Sequence, residues 1–584
     1  MLPTTFSFVT TDGVRLDADC YRPAYSAPED PLPVLLMRQP YGRAIASTVV
    51  YAHPSWYAAQ GYMVIIQDVR GRGSSEGDFR LFANETADSL ETIAWAAQLP
   101  GSNGRVGMYG FSYQGMTQLY GAKAPALVTL APAMVGYDLH GDWAYEGGAF
   151  LGQLNLAWAI QMAAETARRQ GDGASFERLN RAAQHLPLDG AIPWEPDLLR
   201  ELAPDSFYWD WLTHGASPQP IAHATTAANT AETRTDPNRP SSEDISQHYW
   251  QTLQPDLSGI NLPMLHIGGW FDPYLRGTLR LYRQQKAQSS QPQELWLGPW
   301  GHLPWGRRVG AVDLGAGAVS PIDRVQLQWF DYWLKGNGTP PQDQAPIHWF
   351  EMGGRGWRTG DLWPQILGQK PDTRQIFTQG GSQEFQFYYF QGNGLGAIAG
   401  NLLFDEPPHQ PNLAVAADVL VQDPWRPVPA RGGHGALPSG SFDRSDLDDR
   451  GDVATYTTPA LTQALVIFGE TQITLHYTSA VPSFDLCAVL SVVRPEGVFN
   501  FSQGYQRITE VPVGESRSLQ FTLQATGQRL QPGEQLRLSL SLSCYPAYAV
   551  NPGTGESPER SARLEAQVVT VAIEQGLIIL PLAH

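Results

Sequence analysis

The spacing of apolar residues changes along this chain, and the change restricts the folds open to it. In the first third, short continuous apolar runs such as Val34–Met37 and Tyr62–Val69 alternate with segments of helical spacing such as residues 85–100. Continuous runs are typical of parallel strands buried on both faces. Beyond about Pro346, apolar residues occur at every second position, as in LRLSLSLSC, Leu536–Cys544. The pattern therefore predicts an α/β domain with a parallel sheet, followed by a β-rich domain.

The strand and helix alternation is interrupted between about Gly136 and Pro263 by an aromatic segment of helical character. This segment contains a polar tract, Ile221–Asp244, which we interpret as a long surface loop or flexible insertion. A Gly- and Pro-rich stretch after Lys335 predicts a linker. The predicted domains are the first part of the sheet domain (1–135), a helical cap (136–250), the second part of the sheet domain (251–338) and a β-sandwich or jelly roll (339–584).

Composition excludes several classes of function. The chain has 584 residues and a formal net charge of −18, which argues against nucleic-acid binding. No apolar run reaches membrane-spanning length, and the first residues lack the basic and apolar regions of a signal peptide. The three cysteines lie far apart in sequence, so we expect them to be reduced and buried in a cytoplasmic protein.

The stretch GFSYQGMTQ contains a candidate nucleophile, Ser112, between a predicted strand and a predicted helix. A serine hydroxyl needs a base, a carboxylate that orients the base, and donors for the oxyanion. In the usual nucleophile elbow, Gly-x-Ser-x-Gly, a glycine stands two residues after the serine. Here that residue is Gln114, and Gly115 follows it. Taken alone, the stretch fits a helix-capping serine equally well.

Two later strands end in residues that could complete a Ser-acid-His triad. Asp272 ends the strand in HIGGWFD, and His302 follows the strand in LGPWGH. A turn aspartate before Pro273 and an ordinary loop histidine are the competing interpretations. Three such residues in the required chain order, each at the carboxyl end of a strand, favour a triad. His266 precedes the acid inside its strand, and we expect it to be a core residue.

These motifs resemble those of the cocaine esterase, α-amino acid ester hydrolase and X-prolyl dipeptidyl aminopeptidase-like serine hydrolases. That family has Gly-x-Ser-Tyr-x-Gly at the nucleophile, and Gly110, Ser112, Tyr113 and Gly115 fit this pattern. The resemblance covers nearly the whole chain and is weakest over the predicted cap. Further similar stretches are DGVRLDADCYRP, RQPYGR, QDVRGRGSSEGDF, GGWFD, LGPWGH, DPWRPVPARGG and CYPAYAVNPGTG.

The resemblance implies an α/β-hydrolase domain with an inserted helical cap and a C-terminal jelly roll. It also implies an oxyanion hole made of the Tyr41 hydroxyl and the backbone N–H of Tyr113. No cofactor is implied, and the chain contains no HExxH motif or Cys/His cluster that would suggest a metal.

One departure from the family bears on the substrate. The α-amino acid ester hydrolases have acidic residues just after the catalytic aspartate, which hold the substrate ammonium, whereas Pro273-Tyr274-Leu275 follows Asp272 here. Asp142 and Glu146 are the nearby acids, and we expect them to be solvated residues of the cap. A neutral or aromatic acyl group therefore suits the pocket better. Trp143, Trp270 and Phe271 are candidate pocket walls, with core packing as the competing explanation.

The predicted function is hydrolysis of small-molecule acyl esters, with amides second, through an acyl-enzyme. An X-prolyl or α-amino acyl peptidase and a β-lactam acylase are the alternatives within the enzyme class. A carbohydrate-binding or structural protein is the alternative outside it, because the β-rich half contains many aromatic residues. We expect no nucleic-acid or membrane partner. The physiological substrate and the oligomeric state, with a homodimer among the options, stay open.

Overall fold

The computed structural model describes residues 3–27, 30–44, 48–188, 195–215, 242–354, 356–364, 366–369, 376–378, 384–394, 396, 400–403, 416–556, 558 and 567–583. Residues 221–241 of the predicted polar insertion, Ile221–Asp244, lie outside the described residues. The last three residues of the insertion belong to a helix that begins at Ser242.

The described part of the first 360 residues contains both strands and helices. The strands are Thr4–Val9 (β1), Arg15–Tyr21 (β2), Leu32–Gln39 (β3), Met63–Asp68 (β4), Ser102–Phe111 (β5), Leu127–Ala133 (β6), Tyr145–Glu146 (β7), Ala149–Phe150 (β8), Met264–Phe271 (β9), Gln293–Gly301 (β10), Arg308–Val309 (β11), Val312–Asp313 (β12), Ile347–Glu351 (β13) and Gly356–Gly360 (β14). The α-helices are Pro54–Ala59 (α1), Glu85–Ala97 (α2), Tyr113–Tyr120 (α3), Gly152–Gln170 (α4), Gly173–Gln184 (α5), Asp197–Leu202 (α6), Phe207–Thr213 (α7), Ser242–Leu253 (α8), Leu275–Gln288 (α9) and Ile322–Lys335 (α10).

Ten strands form one sheet in the order β1-β2-β4-β3-β5-β6-β9-β10-β13-β14. In this sheet order, each strand from β4 through to β13 is parallel to its neighbours in that range. At the two edges, β1 and β2 and, on the other side, β14 pair in antiparallel fashion. Every residue of β4 and β9 is buried. This burial on both faces explains why these strands are mainly apolar in the sequence.

Helices cover both faces of the sheet, and β3 shows how the strand side chains are divided between them. Val34 and Leu36 pack on one face, in the cluster that contains residues of α2 and α3. Leu35 and Met37 pack on the other face, with α1 and α10. The predicted α/β domain is therefore present, with helices on both sides of a mostly parallel sheet.

Most of the described residues between β6 and β9 are helical. It contains a π-helical turn at Leu139–Ala144, the short hairpin β7–β8, and α4 to α8. Buried aromatic residues of α7 pack in the same cluster as α3 of the sheet domain. The function of this segment as a cap stays a prediction.

The C-terminal part is rich in strands. They are Ile366–Gln369 (β15), Ile376–Thr378 (β16), Phe385–Gln391 (β17), Gly400–Asn401 (β18), Asp418–Gln422 (β19), Val453–Thr457 (β20), Leu465–Gly469 (β21), Gln472–Ser479 (β22), Phe484–Arg494 (β23), Gly497–Ile508 (β24), Ser516–Thr522 (β25), Thr526–Leu530 (β26), Gln535–Ser541 (β27) and Val569–Pro581 (β28), with one short helix at Ser445–Asp448 (α11).

Most of these strands form two sheets with a shared core. One has the order β17-β28-β22-β25, with β19 also on β28, and the other has the order β18-β20-β27-β23-β24. Alternate residues of β22 are buried, as the period of two predicts. Leu475 of the first sheet and Leu538 of the second lie in one apolar cluster. The strand-rich domain is confirmed, and its topology as a jelly roll stays a prediction.

The same cluster joins the strand-rich domain to the main sheet. Trp270 of β9 and Trp349 of β13 pack in it with Phe468 of β21, and the Trp349 and Phe468 rings stack with centroids 4.3 Å apart. The strands β13 and β14 belong to the main sheet although they lie beyond residue 338, the predicted boundary. The predicted boundaries themselves stay a prediction.

Candidate active site

Ser112 lies between β5 and α3 in a conformation that few residues other than glycine adopt. Its φ of 59° and ψ of −126° place it in a left-handed region, where a side chain is strained. The backbone N–H of Ser112 donates to the Ala133 carbonyl of β6 at 2.9 Å, which holds the turn against the neighbouring strand. A strained serine between a buried strand and a helix has the geometry of a nucleophile elbow.

The two glycines of the motif are both required by close contacts. A Cβ on Gly110 would lie 2.5 Å from Gln114 Cβ, and Gly110 also has a φ of 142°. A Cβ on Gly115 would lie 2.5 Å from Val135 Cγ1 and 2.9 Å from the Ala133 carbonyl oxygen. The spacing Gly-x-Ser-x-x-Gly, with Gln114 at the usual glycine position, therefore suits a close approach of α3 to β6.

The parallel register brings Asp272 and His302 together. Phe271 of β9 pairs with Gly301 of β10, so the residue after each strand lies at the same edge of the sheet. The distance between Asp272 Oδ1 and His302 Nδ1 is 2.8 Å, and the Asp272 side chain is fully buried. The His302 ring also lies 5.4 Å from the ring of Phe111, the residue before Ser112. The structure thus brings the three predicted triad residues to one edge.

Tyr41 lies in the loop after β3, at this edge. Burial raises the pKa of Tyr41 to about 12, while Trp158 and Ser112 beside the side chain act to lower it. The phenol is therefore protonated at neutral pH and can donate a hydrogen bond. Arg43 fixes the loop, since its Nη1 donates to Asp68 Oδ2 at 2.5 Å and its Nε lies 2.9 Å from Asp19 Oδ1.

Tyr113 begins α3, and its backbone N–H is at the helix N-terminus. The first helical hydrogen bond runs from Met116 N to the Ser112 carbonyl, so the N–H of Tyr113 precedes the internal bonds of the helix. Its side chain is buried elsewhere. The hydroxyl donates to Glu85 Oε1 at 2.7 Å, and Glu85 Oε2 pairs with the buried Arg38 at 2.5 Å. This network anchors the start of α3.

The predicted pocket walls separate into two groups. Trp143 packs with its ring 4.4 Å from Tyr274, and Tyr274 in turn contacts the His302 ring at 5.0 Å. Trp270 and Phe271 instead lie in the core shared with the strand-rich domain. The Trp270 indole donates to the Phe350 carbonyl at 2.8 Å. These contacts favour core packing, the competing explanation, for Trp270 and Phe271, and their role as pocket walls stays a prediction.

Asp142 and Glu146 are not solvated, contrary to expectation. Asp142 is fully buried and accepts two hydrogen bonds from Arg280, at 2.8 and 3.0 Å. Glu146 is 2.9 Å from Arg276. Burial acts to raise the pKa of Glu146, but the charges of Arg276 and His434 outweigh it and hold this pKa at about 2. Both acids are thus neutralised by α9, which follows the candidate catalytic aspartate.

Three neighbours of the site were not identified from the sequence. Trp158 lies beside Tyr41, Tyr274 contacts His302, and Arg72 is buried with its guanidinium 3.9 Å from the Phe79 ring centroid. Tyr274 could have been found, since it stands two residues after Asp272. Trp158 lies in α4 of the helical segment, and its position in the apolar pattern there is the same as that of any packed helix residue, so the sequence does not mark it as a site residue.

Among the described residues, no group of three His, Cys, Asp or Glu side chains could hold a metal ion. No α-helix in the described part of the chain is both long and apolar enough to cross a membrane. His266 is buried, bonded to Gln293 at 2.9 Å, and its pKa is lowered to about 4 by burial, as expected of a core residue.

Comparison with known protein families decides the membership of this chain. The family described as X-Pro dipeptidyl-peptidase (S15 family) matches residues 12–304. The chain belongs to this family. Residues 337–575 match the X-Pro dipeptidyl-peptidase C-terminal non-catalytic domain, which corresponds to the strand-rich part. The S15 match covers all the candidate triad residues.

Similar proteins cover nearly the full length. Cocaine esterase of Rhodococcus sp. (strain MB1 Bresler) is 29% identical over 578 residues, which cover 93% of this chain and 91% of that protein. A solved α-amino acid ester hydrolase has a TM-score of 0.77 at 21% identity, with 100% of this chain and 97% of that chain covered. An aminopeptidase from a marine sediment Thaumarchaeota archaeon has a TM-score of 0.74 at 20% identity, covering 100% of this chain and 96% of that chain. The protein is a serine hydrolase of the S15 family, in the esterase and peptidase group.

Proposed function

We propose that this protein hydrolyses carboxylic esters through an acyl-enzyme formed on Ser112. In this mechanism His302 takes the proton of the Ser112 hydroxyl as it attacks the ester carbonyl, and later returns a proton to the leaving alcohol. Asp272 orients the imidazole and stabilises its positive charge. Water then attacks the acyl-enzyme with His302 again as base. The observation that carries the proposal is the 2.8 Å contact between Asp272 and His302 at the edge where the strained Ser112 lies.

The oxyanion that develops in each step would be held by the Tyr41 hydroxyl and the backbone N–H of Tyr113. Tyr41 is supported by its position beside Ser112 and by its raised pKa, which keeps the donor proton. The N–H at the start of α3 is supported by the geometry of the elbow, because the positive end of a helix favours developing negative charge. The predicted cap, residues 136–250, would lie over this site, and the C-terminal sheets would form a jelly roll.

The preferred substrates are esters of neutral acyl groups. To bind an α-ammonium group, the pocket would need a carboxylate that is not already paired with a cation. Asp142 and Glu146 are each paired with an arginine of α9, so neither is available. Tyr274 contacts His302 and Trp143 packs on Tyr274, and the two rings are suitable walls for an aromatic or aliphatic acyl group. Amides are the second choice of substrate, since the family includes peptidases.

Labelling with a fluorophosphonate tests the nucleophile without knowledge of the substrate. We expect a single labelled peptide carrying Ser112, and no labelling after Ser112→Ala. Ser55→Ala, which changes a serine of α1 outside the site, is the matched control and should label like the wild type. Labelling of another serine, or undiminished labelling of Ser112→Ala, would overturn the mechanism.

A pair of substrates tests the acyl specificity. We expect no advantage for a phenylglycine ester over the matching phenylacetate ester when kcat/KM is compared. A preference for the amino compound of more than about tenfold, about 1.4 kcal/mol of transition-state binding, would mean that an acid of the pocket holds the ammonium. That result would favour the α-amino acyl alternatives.

A further inference from the structure

We infer that Gln524, a residue of the strand-rich domain, positions the catalytic aspartate. Gln524 lies in the loop between β25 and β26 and is only 4% exposed. Its Nε2 donates to the Trp270 carbonyl at 3.0 Å and to the Asp272 carbonyl at 2.9 Å. One side-chain amide thus joins a backbone carbonyl near the end of β9 to the backbone carbonyl of the candidate catalytic aspartate. This inference rests on the proposed role of Asp272.

Gln524 is itself held firmly by its own domain. Its backbone N–H donates to the Gln503 carbonyl at 2.9 Å, and the Ser502 hydroxyl donates to the Gln524 carbonyl at 2.6 Å. Both partners belong to β24. The backbone of Gln524 is therefore fixed to β24, and its side-chain amide extends from this anchored position to the turn.

The surrounding contacts leave the turn little freedom. The Trp270 ring packs against the strand-rich domain at Gly527, where an added Cβ would lie 2.8 Å from the indole. The Asp272 carbonyl also accepts from Leu275 N at 3.2 Å, at the start of α9. Since the carboxylate must meet His302 Nδ1 at hydrogen-bond distance, a small rotation of this turn would separate them. Displacements of about 1 Å caused far from the reacting atoms can reduce rates by about 10²-fold.

Gln524→Met tests this role, because methionine has a similar length and no hydrogen-bond donor. We expect kcat for phenyl acetate to fall at least tenfold, with KM within about twofold of wild type. The acid limb of the kcat/KM profile should move to lower pH, because a looser carboxylate stabilises the imidazolium less. A merely structural role for Gln524 would lower thermal stability without moving the acid limb.

Gln535→Leu is the matched control. Gln535 Nε2 donates to the Thr458 carbonyl at 2.7 Å, so this variant loses a comparable bond that lies within the strand-rich domain. It should keep the wild-type kcat and pH profile. If Gln524→Met is not recovered folded, Ser502→Ala removes the bond to the Gln524 carbonyl and should change kcat and the acid limb in the same direction, by a smaller factor.

The outcomes separate the two proposals. If Ser112→Ala and Asp272→Asn keep full activity, the proposed function fails whatever Gln524 does. If those two variants lose activity while a folded Gln524→Met keeps both kcat and the acid limb of wild type, the positioning role is wrong and the triad stands. Wild-type behaviour of Ser502→Ala, when Gln524→Met cannot be recovered, would equally overturn the role of Gln524.

Discussion

Replacing Asp272 by asparagine should lower kcat by about 10³- to 10⁴-fold while leaving the fold intact. Asp272 is fully buried, its Oδ1 lies 2.8 Å from His302 Nδ1, and its Oδ2 has no hydrogen-bond partner among the described residues. The carboxylate charge is therefore opposed mainly by the imidazolium that forms when His302 takes the serine proton. At a charge separation of about 4 Å and an effective dielectric constant of about 20, this attraction is about 4 kcal/mol.

That energy corresponds to a factor of about 10³, at about 1.4 kcal/mol for each tenfold change in rate. Asparagine removes the charge, and an amide group turned toward Nδ1 also stabilises the tautomer that cannot act as base, which extends the loss to about 10⁴-fold. Because the side chains have nearly the same shape, KM and the melting temperature should change little.

The assay is steady-state hydrolysis of phenyl acetate, with the melting temperature measured on the same samples. Asp313→Asn is the control, since Asp313 is an exposed carboxylate paired with Arg307 in the β11–β12 hairpin and should leave kcat unchanged. A folded Asp272→Asn variant that loses less than tenfold in kcat would refute the role of the charge.

Three further predictions follow from the same contacts. Tyr41→Phe keeps the ring and loses the hydroxyl, so kcat should fall by about 10²- to 10³-fold with little change in KM, and a loss of less than about threefold would remove Tyr41 from the oxyanion hole. The kcat/KM of a phenyl ester should fall at acid pH, because a protonated His302 cannot accept the Ser112 proton, and a flat profile would contradict a histidine base. The low pKa of Glu146, about 2, means that its ion pair contributes fully above about pH 4.5 and is lost as the pH falls toward 2. Glu146→Gln should therefore destabilise the protein by about 3–5 kcal/mol at pH 7, and the difference in unfolding free energy from wild type should shrink in acid, whereas a constant difference would argue against the pair.

Much of the sheet domain could be predicted because its strands satisfy a local rule. A parallel strand buried on both faces is mainly apolar on both of them, and β4 and β9 are buried at every residue. The positions of Asp272 and His302 follow from the same rule, because parallel neighbours end at one edge. Their register, Phe271 beside Gly301, makes the meeting of the next residues a geometric consequence of the pairing.

The side of β9 on which each aromatic ring lies could not be predicted in the same way. Both faces of this strand are buried, so an apolar residue fits either the substrate side or the interdomain side. The choice for Trp270 depends on Phe468 and Gly527, which lie about 200 residues or more further along the chain. The charged partners of Asp142 and Glu146 could not be predicted from the sequence for a related reason. Arg276 and Arg280 lie one turn apart on α9, a spacing equally common on solvent-exposed helix faces.

The contact made by Gln524 could not be predicted from the sequence at all, because of the atoms that it involves. Its amide donates to the backbone carbonyls of Trp270 and Asp272, and every residue has such a carbonyl. These two hydrogen bonds therefore involve no pair of complementary side chains, and in sequence Gln524 is a polar residue that follows the alternating strand SLQFTL. The contact exists only because the strand-rich domain packs on β9 in one orientation. A domain joined in this way contributes to catalysis through the position of its backbone and donors, without supplying a group that reacts, and so it can be described as non-catalytic and still be required for the full rate.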